Sequence, residues 1–403
     1  MEDEGSLDPG HGADRGHLYE RAREKFRAHF GSEPEVAAYA PGRVEILGNH
    51  TDYNEGFVLS AAINYGTFFL AAAAGGDRSR LVAGDLMKEV RFSPADPQPV
   101  SGSSWPNYVL GVAAGLAKRH PPRSPCRALF FGDVPRGAGL SSSAALSVSA
   151  GLALCGLYGV ALDWLDLAKI AQRAENEYVG VRTGLLDQIS SLRGRLGHLV
   201  MTDFRSLEAG NVSMHGEFCF LACNTGVKHS LVDSAYNDRR ASCEEAVRFF
   251  AGRLDHPVEA LRDVSLEEWE RWAPEMDSTT ARRAAHVIGE NERVLEGRRQ
   301  LDDRDLEGFG GLMYASHESS RLNFENSCPE LDFLVKEAME DQGVIGARLS
   351  GGGFGGSVIM LVPSDQAAEV GAGMRRAYKR RYGRPCVLNI IEPSEGARLI
   401  MEG

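Results

Sequence analysis

Residues 132–146 read Gly132-Asp-Val-Pro-Arg-Gly-Ala-Gly-Leu-Ser-Ser-Ser-Ala-Ala-Leu146. The apolar run before them, 127–131, is strand-like, and the small-residue run 142–157 predicts a helix. A strand that passes through a glycine turn straight into a helix gathers several N–H groups and the positive helix end at one point. That is what a phosphate chain needs. Neither GxxxxGK[ST] nor GxGxxG in a strand–helix–strand unit is present, so this is neither a P-loop nor a dinucleotide fingerprint. Two readings fit the residues. One is a glycine turn closed by a serine N-cap. The other is a phosphate cradle, in which three hydroxyls exceed what capping requires and offer oxygen to a hard cation such as Mg²⁺.

Outward from this junction, Tyr19, Ala22, Phe26 and Phe30 fall on one helical stripe beginning at His17. Short strands are expected at 36–40, 44–47, 57–63 and 67–74, with helices at 107–120 and 165–178. Strands at 196–202 and 217–223 lead to a long helical region, roughly 234–341. The chain then returns to strand, glycine loop and strand over 346–362, a helix at 367–378 and a strand at 387–391. Without regular strand–helix alternation, this pattern predicts an α+β protein of two lobes. The expected division is a disordered acidic tail over 1–16, an N-terminal lobe over 17–205 and a C-terminal lobe over 206–403.

The 403 residues, 43% hydrophobic and 25% charged, are enough for two buried cores. With 44 Lys+Arg against 56 Asp+Glu, the net charge of −12 argues against nucleic-acid or anionic-membrane partners. No stretch approaches eighteen apolar residues, and the first sixteen residues are acidic and polar, so a cytoplasmic location is expected. Seven scattered cysteines without a CxxC pair read as core thiols rather than zinc ligands.

Three further segments carry candidate chemistry. LSGGGFGG (349–356) has too many glycines to stabilise a sheet, which points to close approach to a ligand or the facing lobe. PGRVEILGNHTDYN (41–54) crowds hydrogen-bonding groups into a loop suited to a polyol; its plain alternative is a polar turn. Asp187, in TGLLDQ, is an acid among apolar neighbours, either a structural acceptor or a functional carboxylate.

PGRVEILGNHTDYNEG, VPRGAGLSSSAAL and GGGFGG resemble, in order and spacing, the three signature motifs of the GHMP kinases, and among these the galactokinases. AENEYVG, GLLDQ, NTGVKHSLVDSAYNDRR, SHESSRLNFENSCPELD and IIEPSEGA extend the similarity over roughly residues 17–400. The resemblance implies an N-terminal lobe like ribosomal S5 domain 2 and a ferredoxin-like C-terminal lobe, with ATP and a hexose between them. It implies Arg43 beside the reacting hydroxyl and Asp187 facing it. Gly137, Ala138, Gly139, Leu140, Ser141, Ser142 and Ser143 would wrap the ATP phosphates, and Ser143 with Glu175 would hold Mg²⁺. Asn49, His50, Thr51, Asp52 and Tyr236 match sugar-binding positions. The main departures are Asn49, where the family has glutamate, and Glu45, where it has asparagine. The implied reaction is ATP-dependent phosphorylation of an anomeric hydroxyl, most simply that of galactose. A C6-modified sugar such as galacturonate, or an N-acetylated hexose, is the rival substrate. A sugar- and ATP-binding sensor without turnover is the rival class, and Trp105 is a candidate adenine wall. Four residues along an extended strand span roughly 13 Å, so Glu45 is not expected to replace the charge missing at position 49.

Overall fold

The computed structural model describes residues 14–400 except 103, 136, 182 and 228–231. Most of the expected acidic tail thus lies outside the described residues. Its end does not: helix α1 (Arg15–Phe30) begins there, capped by Asp14, whose carboxylate accepts from the Gly16 N–H.

An eight-stranded sheet forms the first lobe. Its strands are β1 (Val36–Leu47), β2 (Phe57–Ala73), β3 (Ser79–Ala83), β4 (Lys88–Phe92) and β5 (Cys126–Gly132), then β6 (His198–Asp203) and β7 (Glu208–Ser213). Four helices, α2 (Trp105–Arg119), α3 (Ser142–Tyr158), α4 (Trp164–Arg173) and α5 (Leu186–Arg193), fall between β4 and β6 in the chain. Side-chain alternation along the strands decides what lies on each face. Tyr39, Phe68 and Leu70 meet Leu18, Ala22 and Phe26 of α1, whereas Ala38, Ala40, Phe69 and Ala71 meet α2, α3 and α4.

The second lobe begins with β8 (Phe218–Asn224) and a helical excursion of α6 (Val232–Ala251), α7 (Leu266–Trp272), α8 (Ser278–Asp302), α9 (Leu306–Ser319) and α10 (Pro329–Glu340). It continues through β9 (Gly346–Ser350), β10 (Ser357–Pro363), α11 (Ala367–Tyr382) and β11 (Val387–Ile391). These four strands pair antiparallel in the order β11-β8-β10-β9. Numbered along the chain, that is 4-1-3-2, the expected ferredoxin-like arrangement. The last strand, β12 (Arg398–Ile400), returns to pair with β1 in the first sheet.

Three expectations need correction. The strands at 36–40 and 44–47 are one strand, with a register shift at Pro41/Arg43 where proline lacks a ladder N–H. Those at 57–63 and 67–74 likewise merge into β2, because pairing to β1 continues across Gly66 and forbids a turn. Finally, sheet membership changes between Ser213 and Phe218, not at 205–206, since β7 completes a hairpin with β6.

The two sheets share one apolar core, in which Val44, Ile46 and Leu59 meet Phe220, Ile359 and Phe309. The first half of β1 is therefore buried between α1 and α3, and its second half between the lobes. Arg43 and Glu45 are charged residues inside that otherwise apolar, buried strand. Burying charge requires partners. Those partners define the site.

Candidate active site

Arg43 Nε donates to Asp187 Oδ1 at 2.7 Å, and its Nη2 forms an ion pair with the same oxygen at 2.6 Å. Its Nη1 donates to the Gly139 carbonyl at 2.7 Å. Asp187 sits in the first turn of α5, and its second oxygen accepts a short hydrogen bond from the Ser141 hydroxyl. The ion pair thus ties the mid-strand arginine to the loop before α3.

That loop is organised by its carbonyls. Asn224 Nδ2 donates to Gly137 O, Ser357 Oγ to Ala138 O, and the Arg43 N–H to Leu140 O. With the carbonyls held by protein, the N–H groups of residues 137–143 have no protein acceptor among the described residues. Gly137, Gly139 and Leu140 line a cavity of about 620 Å³ together with Ser141, Ser142 and Ser143. Leu140 is itself buried, and the buried Ala138 is not among the lining residues. Ser141 adopts left-handed backbone at φ 53° and makes no side-chain cap; its hydroxyl is spent on Asp187. The capping reading of the serines fails for this residue.

A second cavity, of about 380 Å³, shares Arg43, Asp187, Gly351 and Gly352 with the first. Asn49, His50, Asp52 and Tyr236 line it, as do Glu45, Thr183, Gly184 and Asn237. Asp52 packs so closely on Gly184 that a Cβ there would stand 2.1 Å from its Oδ2. Desolvation, then the nearby Glu45 charge and that of Asp187, push the Asp52 carboxyl up to about 7. Burial pushes His50 down to about 3, leaving it neutral. Its Nε2–H donates to the Gly352 carbonyl (3.2 Å), so Nδ1 accepts from the Tyr53 hydroxyl (2.9 Å). Both ring nitrogens are therefore spent on protein. Thr51 is not brought to the cavity: it is fully buried, and its hydroxyl faces the carbonyls of Gly48 and Phe57.

Asn49 is also spent. Its Nδ2 donates to Glu45 Oε1 (2.9 Å) and to the Gly351 carbonyl (2.8 Å), and its Oδ1 accepts from Asn326 Nδ2 (2.9 Å). The expected 13 Å separation of Glu45 from Asn49 is overturned. The strand ends at Leu47, Gly48 takes φ 96°, and the chain doubles back so that the two side chains touch.

Glu175 lies on a π-helical turn, Ala174–Val179, that continues α4. One of its oxygens accepts from the Thr183 hydroxyl at 2.8 Å; the other, Oε1, is buried without a hydrogen-bond partner. Burial, then the Asp187 charge, pushes its carboxyl up to about 7, and the Thr183 hydroxyl, then the adjacent Ser143 hydroxyl, moderate the rise. No group of three or more His, Cys, Asp or Glu side chains suited to a metal occurs among the described residues.

Several lining residues carried no readable signal. Tyr108, not Trp105, lines the larger cavity; Trp105, half-buried, packs at a tilt against Phe130 beside the first-lobe core. Arg348 and Glu290, which hold Glu45 and the 48–49 backbone, come from the second lobe. Arg348 could have been marked only by its place in a short buried strand, and Glu290, in the charged helix α8, carried no such mark. The seven cysteines are buried free thiols, and no helix among the described residues is long and apolar enough to cross a membrane.

The chain matches the galactokinase galactose-binding signature over residues 24–73. It matches the N-terminal domain of GHMP kinases over 107–195 and their C-terminal domain over 298–380. It is 40% identical over 389 residues to a galactokinase of Actinobacillus succinogenes, covering 94% of this chain and 99% of that protein. A galactokinase of Haemophilus influenzae is 38% identical over 386 residues, with the same coverage. The crystal structure of Lactococcus lactis galactokinase complexed with galactose superposes with a TM-score of 0.88 at 31% identity, covering 94% of this chain and 99% of that one. A mevalonate kinase of Methanococcus jannaschii, at TM-score 0.63 and 17% identity over 89% of this chain and 98% of its own, shares the fold. Two lobes of the expected kind, a phosphate-cradle geometry beside a polar cavity, and likeness over nearly the whole length agree: the chain belongs to the galactokinase family of the GHMP kinases.

Proposed function

We propose that this protein transfers the γ-phosphate of ATP to the anomeric hydroxyl of α-D-galactose, giving α-D-galactose 1-phosphate and ADP. One observation carries the reading: the Arg43–Asp187 pair stands where the two cavities meet, between the N–H cradle and the polar cavity. The galactose named for the Lactococcus lactis structure and the activity named for the curated relatives support the same substrate.

The chemistry follows from that placement. Phosphoryl transfer depends mainly on positioning and on neutralising charge. The N–H groups of 137–143 and the N-terminus of α3 hold the phosphates, and Arg43 offsets charge on the transferred group. The anomeric oxygen bonds to phosphorus as the bond from phosphorus to the ADP oxygen breaks. The hydroxyl proton passes to Asp187, whose carboxylate is held by Arg43 and Ser141. Tyr236 and Asp52 border the sugar.

Mg²⁺ fits the residues present. The buried, unpartnered Glu175 Oε1 and the Ser143 hydroxyl offer oxygen donors beside the cradle, and this ion normally keeps waters and phosphate oxygens as its other ligands. When bound it neutralises phosphate charge.

The test is ATP- and galactose-dependent formation of sugar 1-phosphate. Asp187→Asn and Arg43→Ala should each lower turnover by about 100-fold or more while the melting temperature shows a folded protein. Near-normal turnover in Asp187→Asn would overturn the assignment.

A further inference from the structure

We infer that Glu45, and not Asn49, is the side chain of the 45–49 pair that accepts a hydrogen bond from a non-reacting hydroxyl of the sugar, and that its charge excludes anionic sugars. The inference rests on the sugar-kinase reading and adds a specificity residue to it.

Saturation of Asn49 is the first ground. Every polar atom of its side chain has a protein partner, and the residue is only 1% exposed. A ligand could engage it only by breaking one of those bonds. Glu45 differs. Its Oε1 accepts from Asn49 Nδ2 and Arg348 Nη1, but Oε2 has no protein partner among the described residues and is not sealed from solvent. The residue lines the cavity that Asp187 and Asp52 also line. A carboxylate oxygen open to a polar cavity is an acceptor awaiting a donor.

Position is the second ground. Arg43 and Glu45 are two residues apart on β1 and pair in regular register with Ala62 and Ser60, so they share a strand face. Their separation is about 7 Å. A pyranose whose anomeric hydroxyl meets Asp187 and Arg43 therefore presents a ring or exocyclic hydroxyl to Glu45.

Charge is the third ground. Among the described residues, Arg43 is the cation that lines the cavity, and it donates to Asp187 and Gly139; Arg348, behind Glu45, donates through Nη1 to Glu45 and the Ile46 carbonyl. A sugar carboxylate would meet the Glu45 carboxylate, whose own ion-pair partner is Arg348, whereas a neutral hydroxyl would give a charge-assisted bond. Such bonds are worth about ten- to a hundredfold in specificity.

The experiment compares galactose, its four monodeoxy analogues and galacturonate on the wild type, Glu45→Gln and Asn49→Ala, reading kcat/KM with the melting temperature as a fold check. In the wild type, one deoxy sugar should lose about ten- to a hundredfold against galactose, and galacturonate should be a very poor substrate. In Glu45→Gln the deficit of that one deoxy sugar should shrink to the roughly two- to tenfold of a neutral hydrogen bond, with galacturonate gaining relative to galactose. In Asn49→Ala both discriminations should persist, whatever the loss of stability. Equal deoxy-sugar deficits in the wild type and Glu45→Gln would overturn the proposal, as would their loss in Asn49→Ala. If Glu45→Gln fails to fold, the Asn49→Ala result decides. Should the wild type prefer another hexose, the galactose reading falls, and the same comparison on that hexose and its deoxy forms still decides the role of Glu45.

Discussion

Asp52 illustrates how one side chain couples binding to stability. Wedged against Gly184 and facing Glu45 and Asp187, its carboxyl is raised from the ordinary carboxylate range to about 7. The folded chain therefore holds a proton that the unfolded chain releases between about pH 4 and 7. Stability falls as pH rises through that window, and the full cost is present above pH 7. Asp52→Asn should accordingly stabilise the ligand-free protein at pH 8 by on the order of 2 kcal/mol, seen as a raised melting temperature. The gain should shrink towards pH 5. If the ionised form receives sugar hydroxyls, galactose KM should rise as pH drops below about 7, and Asp52→Asn should abolish that dependence. Thermal melts and KM measurements across pH 5–8 check both outcomes; a melting temperature unchanged at pH 8 would refute the linkage.

At the scale of elements, the junction of strand, loop and α3 is held in a costly conformation. Ser141 is left-handed, which costs a non-glycine residue roughly 1–2 kcal/mol, and its hydroxyl gives up the capping role to reach Asp187. Close packing sustains it: a Cβ at Gly42 would lie 2.3 Å from the Leu140 carbonyl, so β1 and the loop meet backbone to backbone. Ser141→Ala should lower kcat roughly ten- to a hundredfold by loosening Asp187. It should barely change the melting temperature. A capping serine would show the reverse, with about 1 kcal/mol of stability lost and turnover intact. Steady-state kinetics beside a thermal melt separate the two.

Across the whole molecule, the turn at 48–52 that borders the smaller cavity, the proposed sugar side, belongs to the first lobe but is held by the second. Glu290 of α8 accepts from the Gly48 and Asn49 N–H groups (2.9 and 2.8 Å), and Arg293 donates to its other oxygen (2.6 Å). Burial alone would raise the Glu290 carboxyl, but Arg293, then His286 and Arg348, hold it well below the usual range. Nearby, Asn291 accepts from the Phe57 N–H, and the Asn49 carbonyl faces His286. Removing one member of a buried charged pair costs roughly 3–5 kcal/mol. Glu290→Gln should therefore lower the melting temperature markedly and raise galactose KM more than ATP KM, because the phosphate loop is held by other contacts. Equal changes in the two KM values would show that α8 does not position the sugar side selectively.

What the sequence by itself determined is local. The glycine–serine junction, the HTDYN loop, Asp187 and the strand–glycine–strand near 346–362 were legible because turn chemistry and side-chain periodicity are written within a few residues. Their order along the chain identified the two-lobed kinase resemblance. Tertiary structure alone decided which of those groups keep polar atoms free at the cavities and which spend them inside the protein. Thr51 and Asn49 belong to the motif yet spend their polar atoms inside the protein, whereas Glu45 keeps an oxygen open. The strand-spacing rule failed for Glu45 because it holds only while the strand continues, and β1 ends at Leu47. The partners that settled the matter, Glu290, Asn326 and Arg348, stand 241–303 residues away from the motif residues they hold. A buried charge requires a partner, and only the packing of one lobe on the other can supply one from that distance along the chain.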